Sequence, residues 1–110
     1  MAGKFELKKT ESGKFMFNLK AGNGQIILVS QMYESKDSAE NGIESVRKNS
    51  ADDARFERKV AKNGEPFFSL TATNGQNIGK SETYSSESAM ENGVESEKTN
   101  APDAAVVDNT

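Results

Sequence analysis

The chain has 110 residues, 34% hydrophobic, 28% charged and 7% aromatic, with a net charge of −3 at pH 7. With neither Cys nor His in it, disulfides, thiolate zinc sites, Cys nucleophiles and every mechanism relayed through an imidazole are excluded. The charge is uneven: residues 1–51 carry eight Lys/Arg against six Asp/Glu and residues 52–110 six against eleven, a net +2 followed by −5.

No apolar run follows the opening Met-Ala-Gly-Lys-Phe-Glu-Leu, and no window reaches the roughly 18 apolar residues of a membrane span. A cytoplasmic protein with no membrane attachment is expected. Phe5 and Leu7 alternate with Lys4, Glu6 and Lys8, the period of a half-buried strand. Ser12-Gly13 supplies a turn, after which Phe15, Phe17 and Leu19 alternate with Lys14, Met16, Asn18 and Lys20. Asn23-Gly24 predicts a two-residue hairpin turn with positive φ at both central positions, and Ile26–Val29 a third strand.

After Tyr33 the period changes. Ala39, Gly42, Ile43 and Val46 fall at i, i+3, i+4 and i+7, one face of a helix over Asp37–Lys48. Two N-caps fit: Ser35, or Asp37 with Glu40 three residues on. Gly42 weakens that helix by about 1 kcal/mol relative to Ala, which a close approach of helix to sheet would explain, drift being the alternative.

The whole pattern then recurs. Shifted by 51 positions, Phe5–Asn49 falls on Phe56–Asn100 without a gap, and 20 of the 45 pairs are identical. The second helix is predicted over Ser88–Lys98, with Ser86 or Ser88 as its cap and Gly93 in the place of Gly42. Leu7, Phe15, Leu28 and Val46 become Arg58, Pro66, Gly79 and Glu97. Pro66 has no N–H for a ladder and belongs at a strand start or edge. Glu97 on the apolar face predicts that this face is only partly covered. A short apolar run, Ala104–Val107, follows Ala101-Pro102-Asp103.

The unit Phe-Glu-Leu…Ala-x-Asn-Gly-Gln-x-Ile-x-x-Ser-x-x-Tyr-x-Ser…Asn-Gly-Ile-x-Ser-Val resembles the YegP-like family of small bacterial proteins, from Phe5 to Val106-Val107-Asp108 and in both repeats. The resemblance implies repeats of three strands, a helix and a final strand, assembled on one sheet with exchanged C-terminal strands. Some members carry one repeat and pair as homodimers, so this chain would be their covalent equivalent. The family brings no established activity and no catalytic residues.

The fold class expected is therefore α+β: two tandem βββα(β) repeats, 4–52 and 55–108, in a single domain spanning 1–110. They form one pseudo-two-fold sheet with both helices on one face, and a monomer is expected.

Several side chains invite chemistry. Glu40 and Glu44, and Glu91 and Glu95, lie one turn apart and can serve acid–base work or hold a cation; a solvated helix face has the same spacing. Ser30 beside Tyr33, repeated as Ser81 and Tyr84, has no neighbouring Lys or His as a base, so the Tyr is expected to pack its ring and cap a backbone group. No metal and no cofactor is expected.

The sheet face turned away from the helices is the more specific candidate. Lys8 and Lys59 are identical across the duplication, and Met16 and Phe67 are both apolar among polar neighbours. Lys20 and Arg55 extend the basic character, opposed by Glu6 and Glu57. Such a face suits stacked single-stranded bases or an acidic protein segment; alternatively Phe67 is buried and Phe68 faces out, a slip of one residue. The function expected is a non-enzymatic binding or interaction module with a weak nucleic-acid or protein partner. The alternative is a small-molecule enzyme using carboxylates and Tyr.

Overall fold

A computed structural model describes residues 3–110. The elements run β1 (Lys4–Lys9), β2 (Phe15–Lys20), β3 (Ile26–Ser30), α1 (Lys36–Asn49), a 3-10 turn, β4 (Phe56–Val60), β5 (Pro66–Thr71), β6 (Asn77–Lys80), α2 (Glu87–Asn100), a second 3-10 turn and β7 (Ala105–Asp108). They form one seven-stranded sheet in the order β4-β5-β6-β3-β2-β1-β7. Among the described residues, only β7 is parallel to its neighbour, β1. Among the described residues, no helix is long and apolar enough to cross a membrane.

The duplication is exact in register. Lys8 opposes Met16 as Lys59 opposes Phe67, and both repeats shift register one residue after Leu19 or Leu70. The repeats meet where Val29 pairs with Lys80, its own counterpart, so the pseudo-two-fold axis passes through that pair. A Cβ on Gly79 would stand 2.6 Å from the Val29 carbonyl oxygen, which explains why glycine replaces Leu28 there.

The turns differ from expectation. Gly24 and Gly75 have φ of 86° and 84°, but among the described residues none other than glycine has positive φ. Asn23 instead accepts the Gln25 N–H on its side-chain oxygen at 3.0 Å, and Ala21 and Gln25 close a three-residue loop. This is the type I turn followed by a left-handed glycine, the next commonest hairpin after the two-residue form. Both helices begin at the earlier cap, with Ser35 Oγ accepting from the Ser38 N–H and Ser86 Oγ from the Ala89 N–H, each at 3.1 Å.

The core lies between the sheet and the helices, with Phe5, Leu7, Phe17, Leu19, Leu28, Phe68 and Leu70 fully buried against Ile43, Val46 and Val94. Pro66 opens β5, where no ladder donor is needed. Two departures have clear surroundings. Leu7 is covered by β7 on the neighbouring edge, whereas Arg58 lies on the edge strand β4 and binds Glu91 and Asp53 at 2.9 and 3.0 Å. Glu97 corrects the sequence expectation: its helix face is completely covered, the residue is 0% exposed, and Ser50 Oγ donates to it at 2.7 Å.

The exchange of C-terminal segments is carried by β7 alone. The chain leaving α1 runs through its 3-10 turn directly into β4, while the chain leaving α2 crosses to the opposite edge and docks on β1. Arg47 donates to the Ala104 carbonyl at 2.6 Å, Lys36 pairs with Asp108, and the Asn109 N–H reaches the Leu7 carbonyl at 2.8 Å.

Candidate functional site

The pleat places the candidate face on the side of the sheet away from the helices. Phe68 is fully buried, and Phe67, one residue earlier, is half-buried on the opposite face. Successive partners Glu57, Ser69, Lys80, Val29, Asn18 and Glu6 trace the middle row across that outer surface.

The six residues singled out from the sequence do not form one patch. Lys8 and Met16 are cross-strand neighbours below the middle row, and Lys59 and Phe67 are neighbours above it. With about 4.8 Å between strands and about 3.3 Å per residue, Met16 and Phe67 lie about 20 Å apart on a diagonal. Lys20 is at the other end of β2, bonded to Glu6 at 2.8 Å. Arg55 lies at the opposite end of β4 from Lys59, 3.5 Å from Asp52 and with its guanidinium on the Ala72 carbonyl.

The face is nonetheless basic. Lys4, Lys8, Lys20, Lys59 and Lys80 project from it against Glu6 and Glu57. Glu6 is held by three of the lysines at 2.8–3.9 Å, and the hydrogen bond from Lys20 keeps its pKa below the ordinary carboxylate value. Exposed acids gather on α2, which carries Glu87, Glu91 and Glu95 against Lys98 alone. Phe67 lies in a hollow of about 300 Å3 with Val60, Lys62, Lys80 and Thr83 among its walls. Sequence reasoning missed Lys80 and Lys62. Lys80 was legible as the counterpart of Val29, but its face depends on the register shift within the β5–β6 pair.

The other candidates are structural. Ser30 Oγ accepts the Phe17 N–H at 2.9 Å and donates to the Gln31 carbonyl at 2.8 Å, and Ser81 does the same for Phe68 and Glu82. Tyr33 stacks on Phe17 at 6.1 Å and Tyr84 on Phe68 at 6.3 Å. Their hydroxyls lie over the helical glycines rather than capping a backbone group: a Cβ on Gly42 or Gly93 would stand 2.5 or 2.3 Å from the hydroxyl oxygen. Burial raises both phenol pKa values, so neither is poised as a base. Three of the four paired glutamates are bound individually, Glu44 by Arg47, Glu91 by Arg58 and Glu95 by Lys98. Among the described residues, no three acidic side chains gather as a metal site.

Two βββα units closed on one sheet about an internal axis define a class of duplicated α+β proteins. Residues 11–57 and 61–108 each match the family described as "Domain of unknown function (DUF1508)", one match per repeat, and the chain belongs to that family. It is 56% identical to a UPF0339 protein of Bordetella pertussis over 100% of this chain and 98% of that one. It is 50% identical to the UPF0339 protein YegP of Escherichia coli over the full length of both. The solution NMR structure of E. coli YegP, described as a protein of unknown function, superposes with a TM-score of 0.95 at 50% identity, covering 100% of this chain and 95% of that one. The UPF0339 protein of Shewanella oneidensis superposes at 0.92 with 47% identity, over 98% and 92%.

Proposed function

We propose that this protein is a non-enzymatic binding module, a cytoplasmic monomer built as an intramolecular pseudo-dimer, whose outer sheet face takes single-stranded nucleic acid. One observation carries the reading: a chain of net charge −3 presents five lysines against two glutamates on that face. Beside them Phe67 sits in a hollow with Lys62 and Lys80. Ammonium groups attract phosphates and release their counterions, and an accessible ring stacks a base of any sequence. The enzyme alternative needs a carboxylate and a Tyr converging with free lone pairs, whereas Glu44, Glu91 and Glu95 are engaged in ion pairs and each Tyr hydroxyl lies over a helical glycine.

Titration of isotope-labelled protein with short oligothymidylate tests it. Amides around Lys8, Met16, Lys59 and Phe67 are expected to shift, and affinity to fall steeply with salt. Phe67→Ala is expected to weaken binding by about 1–3 kcal/mol and leave folding intact. Absence of shifts on this face overturns the reading. Equal binding of a poly-glutamate peptide by the wild type and Phe67→Ala assigns the face to acidic protein segments instead.

A further inference from the structure

The helix side of the sheet carries a cleft of about 690 Å3 that neither repeat forms alone. One wall is the β2–β3 hairpin of the first repeat between Ala21 and Ile27; the other is Tyr84 and the flank of α2 that carries Asn92 and Ser96. Eight of its twelve lining positions hold the same residue in both repeats, against 20 of 45 pairs for the unit as a whole. The fold explains some of these. Gly93 clears the Tyr84 hydroxyl, Asn23 shapes the turn, and Ser96 accepts from the Asn100 amide at 3.2 Å.

Asn92 is different. Like its counterpart Asn41 it stands exposed in mid-helix, where Asn is a weak helix former that competes with the backbone for hydrogen bonds. An exposed mid-helix amide on the rim of a cleft points to a ligand.

We infer that this cleft binds an uncharged polyhydroxylated small molecule, a mono- or disaccharide in class. Its polar side chains are amides and hydroxyls, which both donate and accept as sugar hydroxyls require. No Lys or Arg lines it and its single acidic residue is Glu82, so an anion meets no counter-charge. Ile26, Ile27 and Tyr84 supply apolar surface for the C–H faces of a sugar ring. The volume falls within the range of small-molecule sites. The site lies on the other side of the sheet from the basic face and stands independently of the nucleic-acid reading.

The experiment is an NMR titration of the full chain with glucose, N-acetylglucosamine and maltose, with inorganic phosphate and citrate as anionic probes. At least one sugar is expected to shift the amides of Gln25, Thr83, Tyr84 and Asn92 saturably, and the anions are not. Asn92→Ala, which favours the helix, is expected to weaken that sugar about tenfold through a lost hydrogen bond. Asn41→Ala, the same change outside the cleft, is expected to leave binding unchanged. The inference is overturned if no sugar shifts these amides, if phosphate or citrate shifts them as strongly, or if both variants weaken binding equally. Shifts at Met16 and Phe67 with oligothymidylate would persist in that event, separating the two sites.

Discussion

Glu97 occupies the place that Val46 holds in the first repeat, and burial pushes its pKa up from 4.5 to about 8. At neutral pH it is therefore protonated, with Ser50 donating to one oxygen and the other oxygen left without a partner. A raised native pKa means that this group's contribution is fully present below about pH 4.5 and is lost as pH rises through about 8. At pH 7 the loss is about 3 kcal/mol, from a shift of a few pKa units at 1.36 kcal/mol each. Glu97→Gln keeps the Ser50 contact and cannot ionise. Urea unfolding from about pH 4 to about pH 8 is expected to show the variant matching the wild type in acid and exceeding it by about 3 kcal/mol near neutrality; parallel profiles would show that Glu97 does not titrate on unfolding. Gly93 poses a contest of two magnitudes. Alanine would raise helix propensity by about 1 kcal/mol, but its Cβ would stand 2.3 Å from the Tyr84 hydroxyl oxygen and 2.8 Å from the ring carbon bearing it. The ring is pinned against Phe68, so overpacking of about 1–3 kcal/mol prevails. Gly93→Ala is expected to lower the melting temperature, with partial recovery when Tyr84→Phe removes the nearer atom; a rise in melting temperature would show that the ring moves freely.

Among the elements, β7 has the least core of its own: all four of its residues are exposed. It is held by the ladder to β1, by Arg47 on the Ala104 carbonyl and by the Lys36–Asp108 ion pair. Its work is to cover an edge, since β1 without it presents a row of unpaired backbone groups beside buried Phe5 and Leu7. Ending the chain at Ala104 is expected to leave the six antiparallel strands folded but to promote concentration-dependent self-association, read by light scattering coupled to size exclusion. A strictly monomeric truncation would show that the β1 edge is protected by other means. β4 meets the same problem with chemistry instead of a covering strand. Arg58 and Lys59 stand on that edge strand, and Arg58 is anchored by Glu91 and Asp53, charged side chains being a common guard against edge pairing.

At the scale of the molecule, the two repeats share a ladder of only two residue pairs, Val29–Lys80 and Ser30–Gly79. What joins them beyond that is the common core under both helices and the crossing of β7. About fifty residues bury too little surface to be stable alone, and a single repeat would also expose its β3 edge. Residues 1–52 expressed alone are expected to be unfolded or to pair through β3 as a homodimer, distinguished by analytical ultracentrifugation and amide dispersion. A stable folded monomer would show that the repeats are independent.

The sequence by itself determined the repeat, its register and the faces of its strands. Strand alternation and a gapless 51-residue shift are local quantities, and a duplicated unit states them twice. It therefore placed Phe67 outward and Phe68 inward, and put Lys8, Met16 and Lys59 on the outer face. The tertiary structure decided what depends on neighbours distant in the chain. The Val29–Lys80 axis set which lysines share the outer face and spread the six candidates across a diagonal. The covering of α2 turned Glu97 from a half-exposed carboxylate into a buried acid. The cleft was not legible because its walls come from different repeats: Gln25 and Asn92 carry no sign in sequence that they meet, and only the closing of both units on one sheet brings them face to face.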